Sequence, residues 1–184
     1  MELQIRNLLQ FSYDKQPLAI FLLGTNGSGK STLRHYLDLS EISINIDPDL
    51  LNKAYSNKYP TNYQIEASKE AILQYDNAIK KGLNVCIEST LSGYGIIKRI
   101  KEAKLYGFYN IAYYIQLDNV ELHLARIKQR VKEGGHDIAD DLVRKRYINS
   151  QQNLINIKNY FDELFIINNS EYFKLITKIH RGTK

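Results

Sequence analysis

The chain has 184 residues, 43% of them apolar and 24% charged, with a formal net charge of +5. That length suits one domain with a full hydrophobic core, and the balance excludes a disordered or fibrous chain. One cysteine, Cys86, excludes an internal disulfide.

In chain order, the opening stretch "MELQIRNLLQFSYDK" carries an early acid and polar residues throughout. It lacks the layout of a signal peptide, so the reducing cytoplasm is the expected compartment. "LAIFLL" follows and is far too short to span a bilayer. Short apolar runs at 18–24, 42–47, 83–89, 111–117 and 164–168 predict strands. Their near-unbroken apolar character suits a parallel sheet covered on both faces, and it predicts Cys86 to be an inert core thiol.

Helical patterns fall between these runs, at 30–39, 62–82, 95–107, 120–135 and 140–161. Gly82 and Gly107 mark the ends of two of them. "YFKLITKI" predicts a last edge strand, and "HRGTK" a loose tail. Alternating strand and helix predicts an α/β fold with right-handed crossovers. No internal repeat or linker divides residues 1–184, so one domain is expected. The basic balance suits anionic partners, either nucleotides or nucleic acid.

The first strand runs into "GTNGSGKST". Gly24, Gly29, Lys30 and Ser31 complete the spacing G-x-x-x-x-G-K-[ST]. Glycines let backbone N–H groups turn inward around phosphate oxygens, and the helix that follows aims its positive end at the same anions. The pattern predicts a phosphate cradle of Gly24, Thr25, Asn26, Gly27, Ser28, Gly29, Lys30, Ser31 and Thr32. Lys30 is expected on the terminal phosphates and Ser31 on Mg²⁺. No clean apolar strand ending in Asp follows, and no guanine-reading "NKxD" is present. A motor or a GTPase switch is therefore disfavoured against a small kinase.

"INIDPDLL" ends the second strand, which is expected to lie beside the phosphate-loop strand. A kinase needs one carboxylate to align or deprotonate the acceptor hydroxyl and another near Mg²⁺. Asp47 and Asp49 are candidates, Asp47 for the metal and substrate side. The same "DPD" is also a good helix start, with Asp at the cap and Pro first in the helix. "IESTLSG" ends the third strand and offers Glu88 and Thr90, either substrate-binding or strand-end surface residues. Arg126 and Arg130 share one helical face, "GG" interrupts the helix, and Arg144 and Arg146 follow. These read as a helical lid over 126–146 whose arginines grip phosphoryl oxygens, or as a solvated hairpin.

Together "GTNGSGKST", "INIDPDLL", "IESTLSG", "RIKQRVKEGGHDIADDLVRKRY" and "FIINNS" resemble the zeta-toxin family of P-loop kinases, over about residues 17–170 and most closely its compact branch. The resemblance implies a three-layer, nucleotide-kinase-like P-loop NTPase fold that uses ATP and Mg²⁺. It implies a hydroxyl acceptor, UDP-N-acetylglucosamine in characterised members, and in many members a protein antitoxin that blocks the nucleotide site. It places the acceptor-activating acid on Asp49, the cradle roles on Lys30 and Ser31, and the lid roles on Arg130 and one of Arg144 or Arg146. The chain departs from the family pattern at Ala139, where Pro is usual, and at Asn168, where Asp is frequent. A nucleic-acid end, an antibiotic hydroxyl, or a nucleotide-binding module that acts through a partner are the alternatives.

Overall fold

The computed structural model describes residues 16–59 and 61–181. Six strands form one sheet: β1 (Leu18–Leu23), β2 (Ile44–Ile46), β3 (Val85–Ser89), β4 (Tyr109–Gln116), β5 (Glu163–Asn168) and β6 (Lys174–His180). The helices are α1 (Lys30–Arg34), α2 (Pro48–Ser56), α3 (Tyr63–Lys81), α4 (Tyr94–Leu105), α5 (Val120–Lys132) and α6 (Asp140–Ile157). The strand order is β2-β3-β1-β4-β5-β6, parallel through β5, with β6 antiparallel at the edge.

Two expectations change. β2 does not lie beside the phosphate-loop strand. β3 takes that place, with Leu22 level with Glu88 and Leu23 level with Ser89. Periodicity marks strands but does not order them, and the deeply buried "VCIE" run fits the middle of the sheet better than the half-exposed "INI". The helix after the loop is also shorter than its apolar pattern suggested, closing at Arg34 in hydrogen-bonded turns through Leu37.

The alternation of β1 splits the core. Ala19, Phe21 and Leu23 face a cluster with Tyr75, Ile79, Ile96, Ile100 and Phe161, from α3, α4 and the turn after α6. Leu18, Ile20 and Leu22 face Leu33, Cys86, Tyr113 and Phe165 on the other side. Burying both faces is what makes β1 read as an unbroken apolar run. Cys86 is fully buried, and burial pushes its thiol up to about 12. A third, small cluster of Leu124, Ile127 and Val143 pins α5 to α6, so the helical pair has its own apolar contact. All five parallel strands deliver their carboxyl ends to one edge, where an open α/β sheet binds ligands.

Candidate active site

Gly24 leaves β1 with φ +141°, and a Cβ there would collide with the Ile115 carbonyl oxygen. Gly29 has φ +99° and packs so closely on the Asn169 side chain that a Cβ would displace it. Both glycines are required by contact as well as by conformation. Between them the loop turns back on itself, and Lys30 opens α1 from inside it. Lys30 is 7% exposed, and its Nζ donates to the carbonyls of Gly24 at 2.8 Å and Thr25 at 3.3 Å. Burial lowers its pKa; Glu88, 3.9 Å away, works in the opposite direction.

Glu88 stands at the end of β3, directly beside the loop. The Ser31 hydroxyl donates to its carboxylate at 3.3 Å. Burial raises the Glu88 pKa, and Lys30 and Arg34 pull it back down. This pairing of a loop hydroxyl with an adjacent strand-end carboxylate fits a Mg²⁺ site, because Mg²⁺ keeps most of its waters and takes one or two protein oxygens. The described residues hold no cluster of three or more His, Cys, Asp or Glu that would form an all-protein cage.

Asp47, expected on the metal side, is engaged by other protein groups. Its Oδ1 accepts from the amides of Asp49 at 2.9 Å and Leu50 at 3.2 Å, capping α2 ahead of Pro48, and its Oδ2 takes Arg34 Nη1 at 2.8 Å. Both oxygens are committed, so the alternative reading of "DPD" as a helix start describes Asp47. Asp49, on the first turn of the same helix, is exposed and lines the cleft. Arg34 bridges the two strand ends, with its Nη2 also 3.4 Å from Glu88.

The lid arginines separate. Arg126 donates to the carbonyls of Asn169 at 2.6 Å and Ser170 at 3.0 Å, Arg146 donates to Asn26 Oδ1 at 2.8 Å, and Arg130 lines the cleft. Arg144 pairs with Glu121 at 2.6 Å on the outer surface instead, which corrects its expected place in the site. Two residues apart on a helix means nearly opposite faces, so Arg144 and Arg146 cannot both turn inward.

One cavity of about 340 Å³ is lined by Lys30, Ser31, Asp49, Glu88, Arg126 and Arg130. Asp49, Glu88, Thr90 and Arg130 also line a chamber of about 710 Å³ beside it, to which Lys53, Tyr63, Arg99, His136 and Arg146 contribute. Thr90 bonds Ser92 at 2.8 Å in a turn where buried Leu91 holds φ +57°, a conformation an L residue keeps only when its surroundings impose it.

Three contributors escaped the sequence reading. Arg34 had a signal: it lies four residues after Lys30 and three after Ser31, on their helix face. Asn169 also had one, following β5 at the binding edge; its Nδ2 donates to the Ser28 carbonyl at 2.9 Å. His123 had none. It is 1% exposed and holds the Asn26 carbonyl through Nδ1 at 2.8 Å, which fixes the proton on that nitrogen. Asn168 is explained by its neighbour: it donates to Asp118 Oδ1 at 2.6 Å and accepts from the Ser170 amide at 2.8 Å. An ionised Asp in its place could not make the first of these bonds.

Comparison with known proteins places the chain. A model of the family described as Zeta toxin matches residues 5–180. An uncharacterized protein of Haemophilus influenzae is 48% identical over 132 residues, 72% of this chain and 94% of that one. A solved chain from the PezAT chromosomal toxin-antitoxin system of Streptococcus pneumoniae aligns with TM-score 0.66 at 20% identity, over 96% of this chain and 76% of that one. A chain of the AvrRxo1-ORF1:-ORF2 complex with ATP gives 0.70 at 16% identity, over 90% of this chain and 59% of that one. A chain of the Pnkp1/Rnl/Hen1 RNA repair complex gives 0.61 at 20%, over 94% and 52% respectively. At these identities the solved structures speak to the fold.

Proposed function

The chain belongs to the Zeta toxin family, and from that premise we propose that it is an ATP-using phosphotransferase acting on a hydroxyl acceptor. The observation that carries the proposal is the convergence of Lys30, Ser31, Glu88, Asp49 and Arg130 on one cavity; Glu88, Asp49 and Arg130 also line a second chamber. Bound MgATP supplies the phosphoryl group and neutralises part of its charge. Ser31 and Glu88 are the residues that would hold the metal, Glu88 in place of Asp47. Lys30 leaves the Gly24 and Thr25 carbonyls to meet the terminal phosphates, and the cradle runs from Gly24 through Thr32.

Asp49 aligns the acceptor hydroxyl and takes its proton as the acceptor oxygen bonds to phosphorus and the bond to the leaving diphosphate breaks. Arg130, with Arg126 and Arg146 at the two sides of the loop, offsets charge on the transferred group. Thr90 lies where the acceptor enters.

A UDP-sugar is the acceptor we favour, following the family resemblance, and the cytoplasm is the compartment where such a reaction would run. No described helix is long and apolar enough to cross a membrane. The solved relatives from a toxin-antitoxin system and a two-protein complex support a protein partner for this chain as well.

The test is an acceptor screen by mass spectrometry. Protein, Mg²⁺ and ATP are incubated with UDP-sugars, short oligonucleotides and a bacterial metabolite extract, with Asp49→Ala in parallel. A UDP-sugar heavier by one phosphate, absent with the variant, supports the full reading. Phosphate on an oligonucleotide end keeps the kinase and replaces the acceptor. Product formed equally by Asp49→Ala removes Asp49 from its role, and ATP binding with no product from any acceptor favours a partner-dependent nucleotide module.

A further inference from the structure

The two glycines after α5 are not equivalent. Gly134 takes φ +88°, and a Cβ there would meet nothing within 4 Å. Its task is to end the helix in a left-handed conformation, which Asn also tolerates. Gly135 lies outside that region, yet a Cβ there would stand 2.6 Å from Arg130 Cγ, 3.2 Å from its Cδ and 3.0 Å from its carbonyl oxygen. The Gly135 amide donates to that same carbonyl at 2.9 Å. At the other end of the side chain, Arg130 Nη2 donates to the His136 carbonyl at 3.0 Å. The arginine stem therefore lies across the bare face of Gly135, with the loop backbone holding it at both ends.

Arg130 lines both the phosphate cavity and the larger chamber beside it. Its Nε is buried and has no partner within the protein. The guanidinium therefore keeps a donor that the protein does not use, beside two cavities that Arg130 lines.

We propose that Gly135 is a positioning residue: its missing side chain lets the loop lock Arg130 into the transfer geometry in advance. The "GG" pair then divides its work, Gly134 stopping the helix and Gly135 seating the arginine. Fixing the stem beforehand removes rotamer freedom that a mobile arginine would lose on engaging the transferred group. The catalytic half of this claim rests on the phosphotransferase reading; the seating of Arg130 does not.

The test is a double-mutant cycle on the full chain with Gly135→Ala, Arg130→Ala and their combination, Gly134→Asn serving as the control. Turnover of MgATP and ATP binding are measured, and the Arg130 Nε–H resonance, assigned by its loss in Arg130→Lys, is followed by NMR. Melting curves confirm that each variant is folded. If Gly135 acts through Arg130, Gly135→Ala lowers kcat about tenfold with KM for ATP within about twofold, and changes kcat by less than about twofold once Arg130 is gone. Gly134→Asn stays within about twofold of the parent, because it adds no contact to the stem. Equal losses from Gly135→Ala in both backgrounds would overturn the proposal. So would an Arg130 Nε–H as mobile in the parent as in Gly135→Ala. A parent that binds ATP but never turns it over would defeat the phosphotransferase reading, while the resonance would still decide whether Gly135 seats the arginine.

Discussion

The nucleotide end of the cleft and its acceptor end use the same residue types in opposite ways. Lys30, Asp47 and Glu88 are each no more than 9% exposed, and each is held by other protein groups. Asp49, two residues beyond Asp47, is exposed, and the chamber beyond it is lined by Lys53, Tyr63 and Arg99 from three separate helices. Desolvating the first set costs stability that only their mutual pairing offsets, so their positions are fixed by the fold. The second set is exposed or only half-buried, so a ligand can draw on it at a smaller structural cost. On the proposed function, phosphate recognition is built in, and acceptor choice is left to groups that can change with little structural penalty.

The largest expected effect tests the built-in end. Lys30→Ala should lower turnover by about a thousandfold or more and weaken ATP binding as well, measured by MgATP kinetics and titration. Near-normal turnover would show that the loop is not a working cradle. Asp49→Ala, at the open end, should cut transfer by about a hundredfold or more while ATP affinity and melting temperature stay close to the parent. A large loss of stability in that variant would blur the contrast between the two ends.

Arg34→Met sharpens the contrast further. It leaves Asp47 and Glu88 buried with one cation fewer, so stability should fall by on the order of 3 kcal/mol in a denaturant titration. Turnover should fall about tenfold through misplacement of Glu88, and Arg34→Lys should recover part of both losses. The pH profile adds a signed test. Burial raises Glu88 above its ordinary 4.5, helped by Asp47 and Asp49 and opposed by Lys30 and Arg34. Engagement of MgATP that needs the ionised carboxylate is therefore present above the raised value and lost as pH falls through it, so the acid limb of kcat/KM, which reports the free protein, lies above 4.5. In Arg34→Met the limb should move higher still. The stability term has the opposite sense: it is fully present below the unfolded value and is lost as pH rises through the folded one. Glu88→Gln should flatten that slope. Smallest of all, Arg144→Ala should change turnover by less than about twofold, since its partner Glu121 sits with it on the outer surface.

What the sequence made legible follows the same division. The loop, its lysine and serine, the strand-end Glu88 and the arginines of α5 were readable because their spacing is local and their chemistry narrow. The position of β2 was not, because strand order depends on which apolar run buries best. Neither was the commitment of Asp47, which hangs on a guanidinium 13 residues away in sequence. Between Arg144 and Arg146, helical geometry shows that only one can turn inward, but choosing it required knowing where Asn26 and Glu121 lie.

Cys86 lends itself to a use unrelated to catalysis. The chain's one thiol lies in β3, two residues before Glu88, where it is fully buried and pushed up to about 12. Alkylating reagents attack thiolates, so this protein is chemically silent until β3 opens. Its labelling rate is a built-in clock for the opening of the strand that carries Glu88, and slower labelling with MgATP would report ligand engagement before any acceptor is known.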